Sequence, residues 1–287
     1  MRRIVYVSIT VIFCLLHVYM PVKGSDMVCD LYPQFNSKPR LQWTGEILYG
    51  GGDVADWICV FDLSTRNRRA ITVVDHVVFR SLSAAGQLAY ENVQHPETYS
   101  VTSKIYVVDF MATSSRLLPL GEEDNIGQPA WSQDGKKLLF VVDFRDIRIF
   151  DFETSQITTV GEGQLPSWAA DNKKFAYYTA EGDLCVQYLT VTRKICLSDS
   201  DPTLSAFDYL WSPDSKSIMI KNGTRFLRWE IETKEITEIV DGLPFGLELV
   251  GWNNEGIIYK QSIASELYML NVDSKETKCI ISCPISR

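Results

Sequence analysis

A turn built on Trp, Ser or Asn, Asp and Gly, followed at once by an apolar strand, recurs along this chain about every 42 residues, and nothing else in the sequence restricts its fold as much. Four copies are clear: WSQDGKKLLFVV from Trp131, WAADNKKFAYYT from Trp168, WSPDSKSIMIK from Trp211 and WNNEGIIYK from Trp252. Two are degraded, LSAAGQLAYEN from Leu82 and LQWTGEILYGG from Leu41. The starting points lie 41, 49, 37, 43 and 41 residues apart. A second signature keeps step with the first. The segments ICVFDLST, IYVVDFMATS, IRIFDFETS, LCVQYLTVT, FLRWEIET and LYMLNVDS each carry an apolar strand into Asp62, Asp109, Asp151, Tyr188, Glu230 or Asn271 ahead of a Thr/Ser turn.

Each unit resolves into four short strands, as PAWS, KKLLFVV, RDIRIFDF and QITTV show in the third copy. Asp134 or Asp214 accepts backbone N–H groups in an Asx turn, and Gly135 supplies positive φ. One such sheet cannot bury both apolar faces, so the sheets must stack around an axis. The expected fold is all-β, a single six-bladed β-propeller of four-stranded antiparallel blades over residues 41–287, preceded by a segment at 25–40. Trp131, Trp168, Trp211 and Trp252 occupy equivalent repeat positions, which is the pattern of packing between blades rather than of a ligand platform.

Residues 1–24 read as an export signal. Arg2 and Arg3 precede an apolar run from 4 to 20 without an acid, and Val22 and Gly24 give the small residues for a cut before Ser25. The run is close to the shortest that spans a bilayer, so an uncleaved anchor stays open as the one membrane contact. Loss of Arg2, Arg3 and Lys23 takes the formal net charge from −8 to −11, which excludes nucleic acid as a natural partner. Removing Cys14 with the signal leaves six cysteines, an even number suited to disulfides in an oxidising periplasmic or extracellular setting. Cys185 and Cys196 flank one hairpin turn and are expected to bridge neighbouring strands. Cys29 lies before the first unit while Cys279 and Cys283 lie in the last, so one such pair would staple the ends together.

The string PAWSQDGKKLLF from Pro129, with WSPDSKSIMI at Trp211, resembles the repeat of the TolB-type propellers (WD40-like PD40 repeats) over residues 41–282. The resemblance implies a six-bladed propeller and says little of function, since that repeat occurs in periplasmic scaffolds, peptidase accessory domains and polysaccharide lyases. Residues 25–40 are too few for the additional N-terminal domain of TolB itself, and no room remains for the hydrolase domain of prolyl peptidases.

In propellers one rim gathers the loops that enter each innermost strand and the loops between second and third strands. Here that rim would carry Asp75, His76, Asn125, Gln164, Asp208 and Phe245, with a long insertion at 91–104 that holds Glu91, His95 and Glu97. His76 and His95 beside these acids would suit a metal or proton transfer, but two solvated loop histidines are the simpler expectation, and no metal or other cofactor is expected. Gly50, Gly51 and Gly52 lack the Lys-Ser/Thr of a phosphate loop, and Asp143, Asp146 and Asp151 lack the Gly and Glu of a calcium loop. No serine-nucleophile elbow or H-E-x-x-H motif is present. The expected function is an exported, monomeric scaffold that binds a protein or peptide at this rim. A lyase or glycosidase assembling carboxylates from separate blades at the channel mouth is the alternative.

Overall fold

The computed structural model describes residues 40–281 apart from 42–45, 51–56, 63, 66–67, 73–76, 84–85, 95–101, 110–114, 122–124, 207, 245 and 262–265. All sheets are four-stranded, antiparallel and in sequence order. The first holds β1 (Arg40–Leu41), β2 (Glu46–Gly50), β3 (Trp57–Asp62) and β4 (Arg68–Thr72). The second holds β5 (Val77–Leu82), β6 (Gln87–Gln94), β7 (Thr102–Asp109) and β8 (Arg116–Leu117). Then follow β9 (Ile126–Trp131), β10 (Lys137–Val142), β11 (Asp146–Asp151) and β12 (Gln156–Glu162). The next comprises β13 (Gln164–Trp168), β14 (Lys174–Tyr178), β15 (Leu184–Tyr188) and β16 (Lys194–Cys196). The last two are β17 (Asp208–Trp211), β18 (Ser217–Asn222), β19 (Arg225–Glu230) and β20 (Ile236–Val240), then β21 (Leu247–Asn253), β22 (Gly256–Gln261), β23 (Leu267–Leu270) and β24 (Thr277–Ile281). Among the described residues no helix is long and apolar enough to cross a membrane.

The chain is a β-propeller, and its cores lie between blades. In β10, Leu138, Phe140 and Val142 pack with Trp131, Ile105 and Val107 toward the preceding blade, while Leu139 and Val141 pack with Trp168, Phe175 and Tyr177 toward the following one. Alternate residues of a strand face opposite sides, so a strand buried on both must be apolar throughout. That is why KLLFVV is continuous rather than alternating. Equivalent clusters join β13–β16 to β17–β20 and β17–β20 to β21–β24.

Five blades, from β5 to β24, therefore form one series linked by four described cores. The expectation of six blades is corrected to five on this finding. The sheet of residues 40–72 pairs its strands in the same order and lays β1 beside β21, but Arg40 and Leu41 are the described residues of its inner strand, and none of the four described cores includes a residue of this sheet.

The repeated tryptophans set the register. Trp131, Trp168 and Trp211 are at most 6 % exposed. The Trp168 indole N–H donates to Ala130 O and that of Trp211 to Ser167 O, both at 3.0 Å, so each ring is pinned to the inner strand of the blade before it. The turns behave as their residues dictate. Asp134 accepts from the Ser132 hydroxyl and the Lys136 N–H, Asp214 accepts from Ser212 and Lys216, and Gly135 sits at φ 69°. Asp151 accepts Glu153 and Thr154 N–H groups at the second turn. Lys137 and these N–H groups hold its carboxyl at about 2.

Trp211→Ala removes a buried ring and an interblade hydrogen bond together. It is expected to cost about 3–5 kcal/mol of unfolding free energy in urea titration, against less than ~1.5 kcal/mol for Trp211→Phe plus the lost hydrogen bond.

Candidate functional site

Inner strands begin, and second strands end, at one rim, here called the upper rim. Of the residues expected there, the structure describes Glu91, Asn125, Gln164 and Asp208. Asp75, His76, His95, Glu97 and Phe245 lie outside the described residues.

Glu91 is 6 % exposed on β6. Its Oε2 accepts the Gln128 N–H at 2.8 Å across the gap to the next blade, and the Ser103 hydroxyl donates to the same carboxyl. Burial raises its pKa above the ordinary 4.5, and the Gln128 and Ser103 hydrogen bonds offset part of that rise. Gly127 makes the approach feasible, because any Cβ there would collide with the Glu91 carboxyl.

The same device recurs around the rim. Gln128 Oε1 accepts Leu165 N–H at 2.5 Å, and Asp208 Oδ2 accepts Leu249 N–H at 3.2 Å. Gln128, Leu165, Asp208 and Leu249 all stand three residues before a repeat tryptophan. Lys221 Nζ donates to Leu247 O, and Tyr209 OH donates to Leu165 O at 2.6 Å. Inner-strand backbone groups that a sheet edge would leave open are thereby satisfied by side chains of an adjacent blade, from the blade before except in the case of Tyr209. Gln128 and Lys221 were not singled out from the sequence. The signal was available: Gln128 stands where the next repeat places Leu165, and Lys221 where the repeat before places Tyr178.

The remaining residues serve the rim's shape. Asn125 O accepts the Asp143 N–H at 2.8 Å, and its buried Oδ1 has no hydrogen-bond partner among the described residues. Gln164 Nε2 donates to Phe144 O at 2.9 Å. Phe144 and Leu165 have φ of 57° and 52°, a region that bulky residues rarely adopt. They are 57 % and 41 % exposed, so the rim carries two apolar side chains held outward.

Glu91 and Asp208 sit on different seams, each committed to a backbone N–H, and no hydrogen bond or ion pair joins them among the described residues. Two shallow grooves lie elsewhere. One of about 280 Å³ is lined by Val160, Tyr188 and Val191, and one of about 250 Å³ by Asp214, Arg228, Trp252 and Asp273.

Cys185 and Cys196 are cross-strand partners on β15 and β16, Cα atoms 4.0 Å apart, and form the expected disulfide. Asp183 stands beside the two sulfurs, but their commitment to the bond leaves no thiolate ligand. Cys279 is exposed on β24; Cys29 and Cys283 lie outside the described residues, as does the proposed end-to-end staple.

No known family profile and no curated protein sequence matches the chain. Solved structures do. An oligogalacturonate lyase in complex with manganese aligns with a TM-score of 0.59 at 15 % identity, covering 88 % of this chain and 78 % of that one. A TolB from Agrobacterium tumefaciens aligns at 0.53 and 12 %, covering 87 % and 81 %, and a chain of a nidogen/laminin complex at 0.58 and 9 %, covering 81 % and 91 %. At these identities the likeness shows the propeller fold alone.

Because the folded pKa of Glu91 is raised, the native state binds the extra proton between pH 4.5 and that raised value, and its stability falls as pH rises through this interval. Glu91→Gln keeps an acceptor for Gln128 N–H and has no such titration. Unfolding midpoints of the two proteins from pH 4 to 8 are expected to diverge upward in pH, with the variant the more stable at neutrality.

Proposed function

We propose that this chain is an exported propeller scaffold that binds a protein or peptide partner at the upper rim. The observation that carries the reading is the division of labour there. Glu91 and Asp208 are spent on interblade backbone N–H groups and Glu162 is paired with Arg145, while Phe144 and Leu165 are held exposed on left-handed backbone by Gln164 and Gln128. Strained, outward apolar residues on a rigid frame suit a partner surface better than they suit solvent. Export is supported by the Cys185–Cys196 disulfide and by the signal-like residues 1–24. The propeller lyase among the solved structures keeps one competing reading in view, because Glu91 is a buried carboxyl with a raised pKa, the property of a general acid.

The test is cross-linking capture from the native envelope or secretome with wild type, Phe144→Asp and Leu165→Asn. One partner whose recovery falls about tenfold or more in both variants is expected, the loss of two buried apolar anchors. Equal recovery with all three proteins would remove the rim reading. Cleavage of a polysaccharide that vanishes in Glu91→Gln would establish the lyase or glycosidase instead.

A further inference from the structure

The Trp252 repeat departs from its siblings in one countable respect. Trp131, Trp168 and Trp211 pair across the first hairpin with the residue seven positions later, Leu138, Phe175 and Ile218, whereas Trp252 pairs with Ile257, five positions later. Two turn residues are missing, and in the Trp168 and Trp211 blades the turn carries an interblade hydrogen bond. Asn172, four residues after Trp168, accepts the Gln133 N–H of the preceding turn at 2.9 Å, and Ser215, four after Trp211, accepts the Asp171 N–H at 2.9 Å. These two turns thus roof the seams beneath them, whereas the full-length Trp131 turn carries Gly135 at that position. Four residues after Trp252 comes Gly256, already the first residue of β22 and without a side chain.

The consequence is a groove of about 250 Å³ between these last two blades, on the rim opposite Glu91. Trp252 lies in it half-buried, and among the described residues its indole N–H makes none of the interblade hydrogen bonds that Trp168 and Trp211 make. The Arg228 guanidinium stands 5.8 Å from the Trp252 ring centroid and is neutralised by Glu230 at 2.7 Å. The other charged residues lining the groove, Asp214, Glu255 and Asp273, are acids; Glu255 is paired with Lys278 at 3.7 Å and Asp214 accepts from Ser212 and Lys216, and the whole chain carries a formal charge of −8. An aromatic face that already accommodates one guanidinium, ringed by exposed carboxylates, is complementary to a second cationic side chain.

We propose that this groove is a docking site for a basic peptide segment, with an arginine or lysine side chain laid against Trp252 and its charge met by Asp214, Glu255 and Asp273. The site is independent of the upper rim and stands whether or not that rim engages a partner.

The probes are a fluorescein-labelled arginine-rich hexapeptide, its glutamate-rich counterpart and a neutral maltohexaose, titrated into the full chain at low and at physiological salt. The arginine-rich peptide is expected to bind and to weaken with salt, and the glutamate-rich one to bind at least about tenfold more weakly. Trp252→Ala is expected to weaken binding about tenfold and Asp273→Asn about threefold. The discriminating variant inserts Asp-Gly after Asn254, restoring the seven-residue spacing with Trp252 still in place. It should keep the wild-type thermal midpoint and lose peptide binding, while Phe144→Asp should bind the peptide as wild type does. Unchanged affinity in the insertion variant and in Trp252→Ala, or maltohexaose binding in place of the peptide, would overturn the proposal.

Discussion

A four-stranded sheet that is apolar on both faces has no stable existence in water by itself, and the contact that resolves this in the middle of the series is the tryptophan of β9, β13 and β17 against the blade before it. The ring fills the seam, and for Trp168 and Trp211 the N–H fixes the height of one blade against the next, at Ala130 O and Ser167 O. Once those heights are fixed, the other interblade bonds fall at matching positions. Gln128 meets Leu165 and Asp208 meets Leu249 because all four stand three residues before a repeat tryptophan.

That shared register also decides what chemistry the upper rim has left. Backbone N–H groups at the start of each inner strand have no strand on their channel side, and burying them unpaired would be costly. Glu91, Gln128 and Asp208 meet this need. Asp143, Arg145 and Glu162 stay outward with Phe144 and Leu165, Arg145 and Glu162 as an ion pair, and Glu248 Oε2 on β21 is buried without a hydrogen-bond partner among the described residues. On the lower rim the same economy works through the turns, and where the Trp252 turn is two residues short the seam is open.

The blade pattern, the strand assignments and the Cys185–Cys196 pair were legible from spacing alone, because each rests on local chemistry: Asx turns, period-two burial and cross-strand proximity. The blade count was less so. The Leu41 copy counted as a full unit by position, yet which sheets share the interblade cores is not a property that position reveals. The engagement of Glu91 with Gln128 and of Asp208 with Leu249 joins residues 37 and 41 apart in sequence, where only the three-dimensional register shows who meets whom. The shortened turn after Trp252 was visible in WNNEGIIYK; what it uncovers depends on the neighbouring blade's turn.

Native-state hydrogen exchange at the Gln128, Leu165 and Leu249 amides tests the interblade account most directly. If Glu91, Gln128 and Asp208 hold these N–H groups, all three exchange only through global opening, with protection equal to that of the Leu139 amide in the centre of β10. Exchange of these amides at rates typical of open loops, while β10 stays protected, would show that the side chains do not hold the seams and that the rim's carboxylates are available for chemistry after all.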